Sequence, residues 1–295
     1  MKLLMQGMRR SGTTIIYDAL CQDERLTSWY EPLAAAKAPA MGGGSGVQKE
    51  DLFRNLRHLR EEFCSKNSID SSDVLNHGAP RIASLEFTDS LPDTVLDYLN
   101  FMFNVSDNFM AKFTRMYCKV GCLKALCPDG VFVHLVRDPK AVASSYLFGK
   151  NQRNKKHFPD SNVYFERISN CSAWSSRPFS DCILDIYDYV DPHSITDLER
   201  ILLIWKFTFE ETRDHGLDAF GTNYLLVRHE DFCENPRAEL ERIYSKLGEE
   251  VPSNVLGWAQ KYVRKPASPF EHNNQRWKQS FAKLHMQDSL TASGY

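Results

Sequence analysis

Residues 7–14 read Gly-Met-Arg-Arg-Ser-Gly-Thr-Thr and have the glycine spacing of a phosphate-binding loop. A nucleoside triphosphatase carries a Lys in this loop that reaches the β- and γ-phosphates, but Thr13 stands at that position here. The loop instead contains two cations, Arg9 and Arg10. Backbone N–H groups and the positive end of the following helix would converge on the anion, with three side-chain hydroxyls as further donors, those of Ser11, Thr13 and Thr14. The pattern predicts a cradle for an anionic group whose charge is distributed differently from that of a nucleoside triphosphate.

A second candidate anion site follows the apolar residues 131–136, which predict a buried strand. Arg137 comes directly after this strand, and Pro139 suits the first turn of a helix because its missing N–H costs nothing there. Ser145 lies eight residues after Arg137, two helical turns along. Ligands of open α/β sheets bind at the carboxyl ends of the strands, so we expect Arg137 and Ser145 to reach one phosphate together.

Together these two motifs strongly resemble those of the sulfotransferases that use 3′-phosphoadenosine 5′-phosphosulfate (PAPS), most closely the bacterial, glycan and tyrosylprotein members. In that family a loop of the Arg/Lys-Ser/Thr-Gly-Thr-Thr type holds the 5′-phosphosulfate, and Arg10-Ser11-Gly12-Thr13-Thr14 matches it. The family's Arg-Asp-Pro motif, with a Ser eight residues after the Arg, holds the 3′-phosphate and corresponds to Arg137 and Ser145. The resemblance implies a P-loop-like sulfotransferase fold, PAPS as sulfuryl donor and adenosine 3′,5′-bisphosphate (PAP) as product.

Two catalytic candidates also rest on resemblance. The segment Tyr30-Glu31-Pro32-Leu33 looks like the Glu-Pro segment of glycan and bacterial sulfotransferases, which makes Glu31 the candidate general base. Lys112 lies twenty-five residues before Arg137, similar to the catalytic Lys of tyrosylprotein sulfotransferases. There it would stabilise charge on the oxygen between sulfur and the leaving phosphate, a role that Arg10 could share. The alternatives are a helix-capping or solvated Glu31 and a solvated Lys112 at a strand end.

Two later segments add cofactor-binding candidates. An apolar strand at residues 224–227 is followed by Arg228-His229-Glu230-Asp231-Phe232, which resembles the family's Arg-Tyr-Glu-Asp-Leu segment and makes Arg228 a candidate. His229 replaces the usual Tyr, and we assign it no chemical role. Arg276-Trp277-Lys278 looks like the basic, Trp-containing segment that closes over the 3′-phosphate, although residues 264–266 compete for that role.

The reaction implied by the resemblance is an in-line displacement in which PAPS and the acceptor bind together. Glu31 accepts the acceptor proton, Arg10 and Lys112 support charge on the departing phosphate oxygen, and PAP is released. The acceptor hydroxyl or amine belongs to a glycan or a small natural product, with a peptide tyrosine also open. An ATP-dependent kinase on a divergent P-loop and a non-catalytic nucleotide-binding protein are the alternatives, and the missing Lys disfavours the kinase.

These residues need a scaffold that brings two strand ends together. Apolar strand segments begin near residues 2, 131 and 223, a short strand surrounds Lys112, and they alternate with predicted helices at 13–22, 50–63, 91–103, 195–213 and 237–247. The pattern indicates an α/β protein with a mainly parallel sheet between two helical layers. Because both motifs must meet at one sheet, we expect a single domain over residues 1–295.

Residues 38–46 and 150–194 read as insertions that form walls of the acceptor site. A basic run at 150–157 could attract an acidic acceptor, although such runs are usually solvated surface. Aromatic side chains in the same insertion could equally line a pocket for a phenol or a polyketide alcohol, namely Tyr164, Phe165, Trp174 and Phe179.

Charge and hydropathy exclude several classes of protein. With 36 basic and 38 acidic residues, the net charge of −2 argues against a general polyanion or nucleic-acid binder. No apolar run approaches the roughly 20 residues of a membrane helix, and a strand from Lys2 leaves no room for a signal peptide. We therefore expect a cytoplasmic enzyme, with a Golgi-lumenal catalytic domain lacking its anchor as the alternative. The eight cysteines form no zinc motif and no metal is expected, while Cys171 and Cys182 could pair in a secretory protein.

Overall fold

The computed structural model describes residues 1–34, 49–75, 77–78, 82–149, 160–166, 177–265 and 268–295. Within these ranges there are five strands: β1 (Lys2–Gln6), β2 (Thr27–Tyr30), β3 (Phe109–Phe113), β4 (Val131–Val136) and β5 (Tyr224–Arg228). All paired strands run parallel, in the order β2-β3-β1-β4-β5. The strands β3, β1 and β4 are neighbours and run parallel. The segments that follow them therefore start at the same edge of the sheet.

Fourteen α-helices lie in the described ranges: α1 (Thr13–Leu20), α2 (Lys49–Asn67), α3 (Ser72–Leu75), α4 (Asp93–Phe103), α5 (Val120–Leu126), α6 (Pro139–Phe148), α7 (Ser161–Glu166), α8 (Arg177–Ile186), α9 (Asp197–Phe220), α10 (His229–Glu234), α11 (Pro236–Lys246), α12 (Ser253–Tyr262), α13 (Arg276–Lys283) and α14 (Gln287–Ser293). Short 3₁₀ helices occupy Ala83–Glu86, Tyr117–Lys119 and Gly221–Asn223.

Helices cover both faces of the sheet because its strands are apolar on both sides. On one face, α1, α11 and α12 pack against sheet residues that include Leu3, Met5 and Val133. On the other face, α2, α4 and α5 pack against Leu4 and Phe132. A further apolar cluster surrounds α9, which contacts α6 and α8. The predicted three-layer α/β fold with a parallel sheet is confirmed.

The helix α9 shows how local sequence starts a long element. The Thr196 hydroxyl accepts a hydrogen bond from the Glu199 amide at 3.2 Å, and the Glu199 carboxylate accepts one from the Thr196 amide at 3.0 Å. This capping box satisfies two amides at the helix start. The buried residues of α9 include Trp205, whose indole N–H donates to the carbonyl of Arg137 at 2.9 Å. The helix therefore supports the end of β4, where the second candidate anion site begins.

The two predicted insertions are described to different extents by the structure. Residues 38–46, 150–159 and 167–176 lie outside the described residues, and with them lie Trp174 and Cys171 of the possible Cys171–Cys182 pair. The described parts of 150–194 contribute α7 and α8. Its aromatic side chains Tyr164, Phe165 and Phe179 are buried, so their surfaces are already covered by the protein itself. Across the described ranges, no helix combines the length and apolar character needed to cross a membrane.

Candidate functional site

The loop after β1 turns sharply into α1. Arg10 and Gly12 both adopt positive φ angles, 75° and 84°, and the Ser11 amide donates to the Met8 carbonyl at 3.0 Å. A Cβ atom at position 12 would overlap the imidazole ring of His229, so glycine is required there by space as well as by backbone conformation. The loop is therefore closely packed, and position 12 accepts only glycine.

The start of α1 has the features of an anion site. No side chain caps this end of the helix, and its first turn contains no acidic residue. Ser11 and Thr13 are buried, and within the described structure the Ser11 hydroxyl oxygen has no hydrogen-bond partner. Free amides and an unsatisfied buried hydroxyl at a helix amino end favour a bound anion.

The structure brings the two sequence motifs into direct contact. Arg10 Nε donates to the Ser145 hydroxyl at 2.8 Å, and Arg10 Nη2 donates to the Ser145 carbonyl at 3.3 Å. Arg137 Nη1 in turn donates to the Arg10 carbonyl at 3.2 Å. Burial lowers the pKa of Arg10, and the nearby cations Arg9 and Arg137 lower it further. This crowding of positive charge is relieved by an anion.

Arg137 occupies the carboxyl end of β4, as the sequence predicts. The carboxylate of Asp138 caps α6 by accepting from the Lys140 amide at 2.8 Å. The Asp138 amide donates to Oε1 of Glu230 at 3.3 Å, and the same oxygen lies 3.9 Å from Arg137 Nε. In the part of the chain that the structure describes, Arg137 Nε is buried without a hydrogen-bond partner. Arg137 thus retains an unsatisfied donor at the sheet edge.

Glu31 follows β2 and is held by β3. Its amide donates to the Lys112 carbonyl at 2.9 Å, while its carboxylate accepts from Lys112 Nζ and, at 3.1 Å, from the Thr114 hydroxyl. Burial alone would lower the pKa of Lys112, but the carboxylate of Glu31 and the hydroxyl of Tyr30 outweigh it and raise that pKa. Lys112 is therefore a buried cation paired with Glu31, and not the solvated charge of the alternative interpretation.

The tyrosine beside Glu31 connects this ion pair to α1. The ammonium of Lys112 lies 4.3 Å from the centre of the Tyr30 ring, and the Tyr30 hydroxyl is 3.3 Å from the hydroxyl of Thr14. The candidate base and the candidate cradle therefore share one polar network. Sequence reasoning did not identify Tyr30 or Thr114 as part of the site, because their partners come from separate strands.

A buried arginine of α2 supports the Glu31 segment. Arg60 Nη2 donates to the Pro32 carbonyl at 3.0 Å and to the Ala34 carbonyl at 3.4 Å, and the Tyr98 hydroxyl also donates to Pro32 at 3.4 Å. Glu31 itself has a positive φ of 51°, a conformation that non-glycine residues rarely adopt. These contacts hold that turn in place. No sequence motif pointed to Arg60.

The remaining cofactor candidates lie in two places. Arg228 ends β5, where its guanidinium carbon is 4.4 Å from the centre of the Tyr295 ring and its Nη1 is 3.5 Å from Asp231. Arg276 pairs with Glu166, and the buried Trp277 donates to the Glu271 carbonyl at 2.8 Å. Lys278 is exposed. The role of residues 276–278 as a clamp on the 3′-phosphate stays a prediction.

His229, to which the sequence assigns no chemistry, packs directly against Gly12 of the loop. Burial and the neighbouring Arg137 lower its pKa to about 3, so the imidazole is neutral in the folded protein. Cys233 Sγ lies 3.6 Å from its Nε2 atom. His229 therefore shapes the loop as a neutral packing residue.

This buried imidazole predicts an acid-sensitive fold. In the unfolded chain His229 titrates near its ordinary pKa of 6.5, so below that pH the unfolded state binds an extra proton and stability falls until about pH 3. The contribution is at most about 1.4 kcal/mol per pH unit for each such group. Denaturant titrations between pH 6 and 4 should show a shallower pH dependence of the unfolding free energy in His229→Gln. Exposed His58 gives the matched control, His58→Gln, and equal slopes in both variants would contradict the expectation.

Among the described side chains, no group of three or more His, Cys, Asp or Glu residues is arranged to hold a metal ion. The unsatisfied Ser11 hydroxyl, the contact between Arg10 and Ser145, and Arg137 all lie around the loop after β1, at the carboxyl edge of the parallel sheet. Fold and site together define an α/β protein of the P-loop-like class.

Comparison with protein families gives the narrower assignment. The family model described as the sulfotransferase family matches residues 3–191, more than half of the chain, and the protein belongs to that family. No curated protein sequence gives a significant match.

Solved structures agree on the fold. Sulfotransferase STF9 from Mycobacterium avium superposes with a TM-score of 0.57 and 11% sequence identity, covering 99% of this chain and 76% of that chain. Sulfotransferase STF1 from Mycobacterium tuberculosis H37Rv gives a TM-score of 0.52 and 11% identity, covering 96% of this chain and 76% of that chain. At this identity the likeness concerns the fold alone.

Proposed function

We propose that the protein transfers the sulfuryl group of PAPS to a hydroxyl or amine of an acceptor and releases PAP. The observation that carries this proposal is the contact between the two anion motifs, in which Arg10 binds Ser145 and Arg137 binds the Arg10 carbonyl. A donor with phosphate groups at both its 5′ and 3′ positions needs two neighbouring anion sites. The contact between the two motifs supports the binding of one such donor by both of them.

The chemistry of the cradle fits such a donor. Its uncapped amides and the unsatisfied Ser11 hydroxyl suit a group rich in acceptor oxygens. We propose that the 5′-phosphosulfate is held by Arg9, Arg10, Ser11, Gly12, Thr13 and Thr14. We propose that the 3′-phosphate is held by Arg137 and Ser145, with Arg228, Arg276, Trp277 and Lys278 as further contacts. When bound, PAPS supplies an activated sulfuryl group.

Glu31 is proposed as the general base. Lys112 and Thr114 each bind one of its oxygens, which fixes the plane of the carboxylate. A fixed carboxylate can accept the acceptor proton as the new oxygen–sulfur bond forms. Its side chain is 19% exposed, so an acceptor can reach it, whereas Lys112 is 2% exposed. The main proposed role of Lys112 is therefore to hold Glu31. Together with Arg10, it also provides positive potential that stabilises negative charge on the departing oxygen.

A glycan or a small natural product is the proposed acceptor. Tyr164, Phe165 and Phe179 are buried in the core, which argues against an open aromatic acceptor pocket built from these three side chains. Among the nucleotides, ATP is disfavoured because the cradle has Thr13 in place of the P-loop Lys.

Ligand-induced stabilisation tests the proposal most directly. We expect PAP at 100 times its dissociation constant to stabilise the protein by roughly 2.7 kcal/mol, a rise of several degrees in melting temperature. ADP, and ATP with Mg²⁺, serve as controls at equal concentration and should stabilise it less. Transfer of radiolabelled sulfate from PAPS to a panel of glycans and small alcohols then identifies the acceptor. Stabilisation by ATP with Mg²⁺ but not by PAP would instead favour a kinase, and PAP binding without any transfer would favour a nucleotide-binding protein.

A further inference from the structure

The last residue of the chain lies against the second anion site. The chain turns at Gly294, which has a φ of 82°, and the Tyr295 amide donates to the Leu290 carbonyl at 2.8 Å. The Tyr295 ring lies over the guanidinium of Arg228, and its hydroxyl donates to Oε2 of Glu230. Burial and the adjacent Glu230 carboxylate raise the pKa of Tyr295, so the phenol keeps its proton and remains a donor.

Glu230 is the carboxylate that faces Arg137, yet the two side chains do not form a close pair. The distance from Glu230 Oε1 to Arg137 Nε is 3.9 Å, and that Nε is buried without a hydrogen-bond partner among the described residues. A closer approach would satisfy Arg137 and neutralise it. Glu230 is bound elsewhere, with Oε1 on the Asp138 amide and Oε2 on the Tyr295 hydroxyl.

We propose that Tyr295 is a positioning residue that holds Glu230 back from Arg137 and so keeps Arg137 available for a phosphate dianion. The inference rests on the proposed function, in which Arg137 binds the 3′-phosphate of the nucleotide. A carboxylate in full contact with Arg137 would have to be displaced by the phosphate, and that displacement would weaken binding. The Tyr295 hydroxyl, together with the Asp138 amide, limits this competition before the nucleotide arrives.

The test is a double-mutant cycle between Tyr295 and Glu230. Tyr295→Phe removes the hydroxyl but keeps the ring over Arg228. Isothermal titration calorimetry measures the dissociation constants of PAP and of adenosine 5′-monophosphate, which lacks the 3′-phosphate. We expect Tyr295→Phe to weaken PAP binding about tenfold and adenosine 5′-monophosphate binding less than about twofold. In a Glu230→Gln background, where no competing carboxylate remains, the same substitution should leave PAP binding within about twofold.

Three results would overturn the proposal: unchanged PAP affinity in Tyr295→Phe, equal loss for both nucleotides, or a loss that persists in Glu230→Gln. The last result would assign the effect to Arg228, which Tyr295 also contacts. Thermal melting without nucleotide shows whether each variant is folded. Failure of the proposed function has a different signature, because the wild-type protein would then bind PAP no better than adenosine 5′-monophosphate.

Discussion

Replacing Glu31 with Gln is expected to lower kcat by a factor of about 10² to 10⁴ at saturating PAPS and acceptor, the usual contribution of a general base. Gln keeps the shape of the side chain and can still accept from Lys112 or Thr114, but it cannot take up the acceptor proton. The affinity for PAP should change little, because no cradle residue is altered. Turnover at the wild-type rate would contradict the assignment of Glu31 as the base.

The ion pair complicates this experiment, since Glu31→Gln leaves Lys112 as a buried cation without its carboxylate. Loss of one partner of a buried pair costs about 3–5 kcal/mol, so a stability effect must be separated from a catalytic one. The double variant Glu31→Gln/Lys112→Met removes both charges and should recover stability without recovering turnover. Recovery of turnover in the double variant would make Glu31 a structural partner of Lys112.

Glu62→Gln, which breaks the exposed pair of Glu62 and Lys66, is the matched control. It should leave both the stability and the turnover nearly unchanged.

Arg137→Ala is expected to weaken PAP binding by about 10²- to 10³-fold, the cost of removing one partner of a desolvated charge pair. Adenosine 5′-monophosphate should lose much less affinity, because it lacks the phosphate that Arg137 is proposed to bind. Calorimetric titration of both nucleotides gives the two dissociation constants. A loss of affinity for PAP that exceeds the loss for adenosine 5′-monophosphate would therefore support binding of the 3′-phosphate by Arg137.

Arg237→Ala is the matched control for this substitution, because Arg237 is an exposed arginine that pairs with Glu241 at 3.2 Å on α11. It should leave the affinity for both nucleotides unchanged. Arg137 also binds the Arg10 carbonyl, so melting curves without nucleotide are needed to measure any loss of loop stability. Unchanged PAP affinity in a folded Arg137→Ala protein would remove Arg137 from the proposed 3′-phosphate site.

Local patterns in the sequence were sufficient for the elements that carry the cradle. The apolar runs that became β1 and β4 are long enough to predict buried strands, and the residues after them start helices in the expected places. The strand β2 has no such pattern, because four residues reading Thr-Ser-Trp-Tyr lack both length and apolar continuity. The sequence also does not predict the helices α7 and α8, because they lie within a segment that reads as an insertion.

The loop spacing, the Arg-Asp-Pro turn and the Ser two turns later depend only on nearby residues, so they were enough to predict the sulfotransferase family and two anion sites. Which side chains meet at these sites depends on the tertiary structure. It joined Arg10 to Ser145 across 135 positions, Lys112 to Glu31 across 81 and Tyr295 to Glu230 across 65. It also made His229 a neutral packing residue beneath Gly12. Such contacts depend on strand order and on which helices cover each face of the sheet, and residue spacing along one segment contains no information about either.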